Sequence, residues 1–315
     1  MTGYIFKRIF YAVVVIWAVA TLVFFMLRVI PGDPIRAMLA DVDPTAAAAL
    51  RAKLGLDRPL YVQYVFWFRN VLQGDLGNSI YGSRVPVSRI IVEAVPRTLS
   101  LASLALVISF SLALAAGVIS AVKKYSLLDH SFTFAAFLGI SMPDFWMGIL
   151  LIIVFAVNLH WLPSIGYKPL SDGLWPWLSH LILPALATGL PFSAIITRIT
   201  RSAMLEVLQS DYIKVARAKG LSERLVILRH AFRNALIPVV TVMGIALALL
   251  ISGAVVVENV FAIKGLGRVL IQSILNRDYP VVQGSILVVS VILVFTNLAV
   301  DILYTVIDPR IRYEE

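Results

Sequence analysis

The stretch "TLSLASLALVISFSLALAAGVISAV", residues 98–122, carries no charged side chain and is closed off by Arg97 on one side and Lys123 on the other. A helix crossing a bilayer needs about twenty apolar residues, so this run is long enough to span. Five further segments meet the same rule: 9–29, 131–159, 174–197, 235–257 and 281–307. The segment 131–159 is interrupted by "SMPDFW" at 141–146, and 174–197 carries Pro184 and Pro191. Proline is tolerated in a spanning helix where neighbouring helices satisfy the freed carbonyl.

Composition agrees with a lipid-solvated chain. Of 315 residues, 60% are apolar and 14% charged, whereas soluble domains run nearer half apolar and a quarter charged. The net charge of +9 suits nucleic acid in a soluble protein, but in a membrane protein it reflects Lys and Arg kept on the cytoplasmic side; no nucleic-acid partner is expected. With no cysteine, a disulfide framework, a thiolate metal site and a thiol nucleophile are all excluded. The first apolar run exceeds a signal-peptide core of about 7–15 residues. "PGDP" (31–34) follows it in place of a small-residue cleavage site, so a retained helix is expected.

Basic residues in the short connections give the orientation. Lys7 and Arg8 precede the first span, and Lys123 and Lys124 follow the second. Arg198, Arg201, Lys214, Arg217, Lys219, Arg224, Arg229 and Arg233 lie between the fourth and fifth, and Arg310 and Arg312 follow the sixth. Even numbers of spans separate these clusters, which places them, and both termini, in the cytoplasm. The long loop 30–97 is then external. Tyr61, Tyr64, Trp67 and Phe68 fall there at helical spacing, as in a helix lying on the membrane face or a cap packed on its own bundle.

The most basic segment is "DYIKVARAKGLSERLVILRHAFRNALIPVV", residues 211–240. Ser210 can cap a helix, residues 212–219 contain nothing that breaks one, and Gly220 sits where a helix end favours a left-handed residue. Ser222 is a second N-cap with Glu223 in the first turn. Leu225, Leu228, Phe232 and Leu236 predict one apolar stripe on the second helix. Helix, glycine turn, helix admits three readings. A DNA-binding unit is disfavoured by tethering at both ends. Contact with anionic lipid explains the charge but not the Gly-Leu-Ser punctuation. An elbow docked into a cytoplasmic partner explains both, with Ala216, Ala218 and Leu221 at its tip.

Residues 215–241, "VARAKGLSERLVILRHAFRNALIPVVT", resemble the cytoplasmic loop of permease subunits of ATP-binding cassette (ABC) importers of the dipeptide, oligopeptide and nickel group. The likeness extends in order over nearly the whole chain. Its other landmarks are "PGDP" (31–34), "LGLDRPLYVQY" (54–64), "QGDLGNS" (73–79), "SMPDFW" (141–146), "GLGRVL" (265–270), "RDYPVVQG" (277–284) and "DPRIRY" (308–313). The resemblance implies an all-α polytopic membrane protein of six transmembrane helices, a single ABC permease domain over 1–315, with an extracytoplasmic loop (30–97) and a cytoplasmic coupling loop (198–234). The external loop resembles that of the B-type subunit, which pairs with a C-type partner. The implied assembly adds two ATPase subunits, an extracytoplasmic substrate-binding protein and membrane lipid.

In such importers the elbow, here Ala216, Arg217, Ala218, Lys219, Gly220, Leu221, Ser222 and Glu223, sits in a cleft of the ATPase and transmits its motion, with Arg217 and Glu223 the expected polar contacts. The chain lacks any Gly-Lys dipeptide and hence a phosphate loop. It is therefore expected to bind no cofactor and catalyse nothing itself, with ATP and Mg in the partner subunits. The sequence departs from the general Glu-Ala-Ala loop pattern, having Lys214, Val215 and Ala216 there and Phe232 and Arg233 at the Leu-Pro positions; the peptide-permease group shares this variant. Peptides are the implied cargo, with nickel complexes, glutathione and oligosaccharides as the alternatives within the group. A secondary transporter would show internal repeats and more intramembrane acids, and a scaffold needs no elbow.

A charge at membrane depth is a functional candidate because insertion costs about 2.5–3.5 kcal/mol. Asp144, beside Pro143, caps the restarted helix, lines the path or sits at the lipid edge; the group usually has an uncharged residue there. Glu258 and Asp301 lie near the ends of their spans. Ser141, Ser193, Thr241, Met243, Ser252, Ser285 and Asn297 are further path candidates, although small and polar residues also serve helix packing. His130, His160, His180 and His230 are scattered, so a metal site is not expected.

Overall fold

In a computed structural model of the chain, residues 2–29, 57–81 and 85–307 are described. "PGDP", "DPRIRY" and the expected external loop before residue 57 lie outside them. The described chain is helical, with no strand among the described residues and one isolated bridge between Asn78 and Pro86. The helices are α1 (Thr2–Val29), α2 (Leu60–Leu72), α3 (Val87–Val122), α4 (Leu127–Ser141), α5 (Asp144–Leu151), α6 (Leu174–Leu208), α7 (Asp211–Ala218), α8 (Glu223–Leu225), α9 (Phe232–Val260), α10 (Leu266–Leu275) and α11 (Tyr279–Ile307). A π-turn over Ile152–Asn158 extends α5, and another over Val226–Ala231 joins α8 to α9.

Among the described residues five helices are long and apolar enough to cross a membrane, and a sixth crossing arises if α4 and α5 form one span bent by 110°. The bend has a local cause. Proline excludes the α conformation from the residue before it, and Met142 is extended at φ −96 and ψ 127. The expected interruption at "SMPDFW" is therefore real. Other spans overrun their expected ends: α3 begins at Val87 and carries Pro96 within it, and α6 continues to Leu208.

The chain divides into two compact units, Met1–Pro96 with Lys264–Val294, and Arg97–Ile263 with Phe295–Glu315. In the first, Phe24 is fully buried with its ring 5.3 Å from Tyr64 and 5.1 Å from Trp67. The Tyr64 hydroxyl lies 2.8 Å from Thr21 Oγ1, and Trp17 Nε1 donates to it at 3.1 Å. Tyr64 and Trp67 of α2 thus pack on α1, as in the cap arrangement, while Tyr61 is exposed. A second cluster gathers Val87, Ile91, Ala94, Leu266 and Val281. Buried Asp278, at the start of α11, accepts from the Ser79 hydroxyl and, at 3.1 Å, from the Ile80 amide, pinning residues 79–80 of the connecting segment.

In the second unit α6 packs against α4, α5 and α9. Its largest core includes Leu101, Leu181, Leu250, Val257 and Phe261. Helices α3 and α6 approach unusually closely at Gly117: a Cβ there would lie 2.6 Å from Thr200 Cβ and 2.9 Å from the Thr197 carbonyl oxygen. Neither neighbour can swing aside, so Gly117→Val should destabilise the unit by about 1–3 kcal/mol through overpacking. Thermal unfolding of the detergent-solubilised chain measures this as a lowered Tm.

Candidate functional site

The elbow is built from the inside out. Ile213 and Ala216 of α7 are buried in a cluster with Ala121 of α3, Ala203 and Met204 of α6, and Val226, Ala231 and Ala235. With Ile213 and Ala216 turned inward, Lys214, Arg217, Ala218 and Lys219 face outward. The helix ends in a Schellman turn. Gly220, at φ +77, donates to the Arg217 carbonyl at 2.9 Å, and the Leu221 amide to the Ala216 carbonyl at 3.4 Å. That 6→1 and 5→2 pairing satisfies the last carbonyls of the helix, and its usual apolar contact is present because Leu221 packs on the cluster that holds Ala216.

Of the eight expected elbow residues, Ala216 and Leu221 therefore face the chain's own core, while Arg217, Ala218, Lys219, Gly220, Ser222 and Glu223 are exposed. Arg217 and Glu223 meet each other across the glycine turn, with Nη2 donating to Oε1 at 2.6 Å and Nε to Oε2 at 3.1 Å. The Glu223 carboxylate raises the pKa of the already basic Arg217. Ser210 and Ser222 occupy the N-cap positions without side-chain capping bonds; Ser210 Oγ instead donates to the Val207 carbonyl at 2.6 Å.

The expected stripe of Leu225, Leu228, Phe232 and Leu236 holds only in its second half: Phe232 packs on the cluster and Leu236 is half-buried, but Leu225 and Leu228 are exposed. Leu228 is 52% exposed, and Val226, Ala231 and Ala235 are buried instead. The cause is the π-turn at Val226–Ala231, which inserts an extra residue per turn and rephases the helix.

The path candidates are dispersed. Asp144 is half-buried at the first position of α5, with its Oδ2 3.4 Å from where a Cβ on Gly253 of α9 would lie. Among the described residues its carboxylate accepts no hydrogen bond, and α5 has no side-chain cap, so Asp144 does not cap the helix. Ser193 borders an apolar groove of about 520 Å³ between α3, α4, α5 and α6, and its hydroxyl donates to the Leu190 carbonyl at 2.7 Å. Ser141 and Thr241 are exposed and donate to carbonyls of their own helices, Phe137 at 2.8 Å and Ile237 at 3.2 Å. Met243 packs beside Ile196 and Val239, Asn297 is exposed on α11, and Ser285 is buried in the first unit with its hydroxyl unbonded among the described residues. Ser252 lies on α9 and Asp301 on α11, with side chains outside the described residues. Buried Glu258 accepts from Thr98 Oγ1 at 2.5 Å. Among the described residues no group of His, Asp and Glu could hold a metal ion.

One buried site escaped the sequence reading. Asp129 in α4 is paired with Arg201 of α6. The string "SLLD" (126–129) does carry a local signal, a serine cap followed three residues later by an acid, but its partner lies too far along the chain to be read from spacing.

Comparison with known proteins places this geometry. A family model described as "binding-protein-dependent transport system inner membrane component" matches residues 113–313, and one described as the N-terminal part of such membrane components matches residues 1–102. An oligopeptide transport system permease protein of Bacillus subtilis (strain 168) is 40% identical over 319 residues, covering 99% of this chain and 100% of the relative. A di/tripeptide transport system permease protein of Pseudomonas aeruginosa (strain UCBPP-PA14) is 42% identical over 336 residues, covering 100% of both. Among solved structures, an inward-facing form of the MetNI methionine ABC transporter aligns with a TM-score of 0.57 at 21% identity, over 70% of this chain and 97% of that one.

The elbow geometry makes a prediction of its own. Nothing lies within 4 Å of a Cβ added at Gly220, so Gly220→Ala is opposed only by its left-handed backbone, at about 1–2 kcal/mol. Gly220→Asn, which tolerates that conformation better, should cost less. Hydrogen exchange across α7 should rank the two variants in that order.

Proposed function

Because the chain belongs to the family of binding-protein-dependent transport system inner membrane components, we propose that it is the permease subunit of an ATP-driven peptide importer, moved by a separate ATPase that grips the elbow at residues 217–223. The observation that carries this reading is the two-sided character of α7. One side is fixed to the permease through Ile213 and Ala216, and the other presents Arg217, Ala218, Lys219 and the glycine turn to whatever docks there. A load applied to the exposed side reaches α3, α6 and α9 through the buried side.

The distribution of basic residues supports a cytoplasmic elbow and cytoplasmic termini. The peptide cargo is supported by full-length relatives whose names carry peptide transport. The working assembly on this reading pairs the chain with a second permease subunit, two ATPases that bind ATP and Mg, and an extracytoplasmic substrate-binding protein. The chain itself catalyses nothing; its contribution is conformational.

Gly220→Pro tests the elbow. Proline fixes φ near −65 and removes the N–H, so the φ +77 turn and its bond to Arg217 are both lost. The variant should insert in the membrane, yet peptide uptake in vesicles should fall to background while ATP hydrolysis by the co-purified ATPases continues. Normal uptake by this variant would remove the elbow from the mechanism.

A further inference from the structure

Asp129, in the first turn of α4, is 2% exposed, yet it gathers groups from two other helices and a turn. Arg201 of α6 approaches it as a fork, Nε donating to Oδ1 and Nη2 to Oδ2, each at 2.8 Å. The Ser120 hydroxyl of α3 donates to Oδ1, and the Tyr125 amide donates to Oδ2 at 2.9 Å. The connecting turn is shaped for this: Tyr125 has φ 63, and Ser126 caps α4 by accepting the Asp129 amide at 3.3 Å.

The position of this carboxylate matters as much as its bonding. On α6, Arg201 lies within one turn of Ala203 and Met204, which hold Ile213 and Ala216 of α7. On α3, Ser120 precedes Ala121, a member of the same cluster. The turn of α6 that grips the elbow therefore also grips α4, and α4 leads directly to the 110° break and α5. Apolar surfaces can slide past one another, whereas two parallel N–H···O bonds fix angle as well as distance.

We propose that the Asp129–Arg201 pair is the strut that carries displacement of α7 through α6 into α4, and so into the broken span. The inference rests on the elbow being driven by an ATPase. Asp129 is a positioning residue: it acts through Arg201 and Ser120 on the helices that move.

The test uses the whole transporter reconstituted in vesicles, with a mixture of radiolabelled di- and oligopeptides as cargo. Peptide taken up and ATP hydrolysed are both measured per assembled complex. Asp129→Asn should lower peptide moved per ATP by about fivefold or more, the low end of ordinary coupling factors. Arg201→Lys, which keeps the charge and loses the fork, should fall between it and the wild type. The double variant Asp129→Asn/Arg201→Gln should be no worse than Asp129→Asn alone, as expected of groups that act as a unit. A pair that only holds the fold together would reduce the amount of complex and leave the ratio in surviving complexes unchanged, and that result overturns the strut. If Asp129→Asn does not assemble, the ratio for Arg201→Lys decides in the same way. A wild-type complex that takes up no peptide overturns instead the proposed function on which the strut rests.

Discussion

Eight residues are too few to hold a helix in water, since nucleation is costly and isolated helices shorter than about 12–15 residues are marginal. Helix α7 has that length, so its existence depends on Ile213 and Ala216 being buried against Met204 and its neighbours. Burying a side chain such as isoleucine contributes about 1.5–3 kcal/mol. This one contact decides which face of α7 is spent on the protein's own core and which is left for another molecule. The Schellman turn follows from it, because Leu221 can return to the cluster only if the chain reverses at Gly220.

Exposed charge contributes little to that arrangement. The Arg217–Glu223 pair is well formed, but both side chains are roughly half in solvent, where such pairs are worth about 0–1 kcal/mol. Its effect is to set the shape of the tip, joining the two limbs of the turn, while burial supplies the anchorage. The buried counterpart at Asp129 has the opposite character: little solvent, several donors and no freedom to rearrange.

The spans were legible because their signal is compositional: a charge-free run from Thr98 to Val122 has few alternatives. The break at Pro143 and the left-handed turn at Gly220 were equally readable, since each follows from the chemistry of a single residue. The second limb of the elbow was misread because helical periodicity assumes 3.6 residues per turn, and the π-turn at Val226–Ala231 breaks that assumption without any proline or glycine to announce it. The pairing of Arg217 with Glu223 was not legible, because only the folded glycine turn brings the two within reach of each other. The Asp129–Arg201 pair was invisible for a different reason. Each residue is ordinary in its own segment, and only tertiary packing makes them one site. The polar path candidates could not be ordered from sequence because the hydroxyls of Ser141, Ser193 and Thr241 are satisfied within their own helices, which any serine or threonine on any span can do.

The sharp turn between α4 and α5 has a consequence for the surrounding lipid. Where one helix stops and another starts, the final carbonyls of the first and the opening amides of the second lack intrahelical partners. Met142 returns one bond to Leu138 at 3.2 Å, and Met147 resumes the ladder to Pro143 at 3.0 Å, but the amides at residues 144–146 fall between. In hydrocarbon each such group costs several kcal/mol. Within a bilayer those amides need moisture or a neighbouring polypeptide beside them in place of methylene.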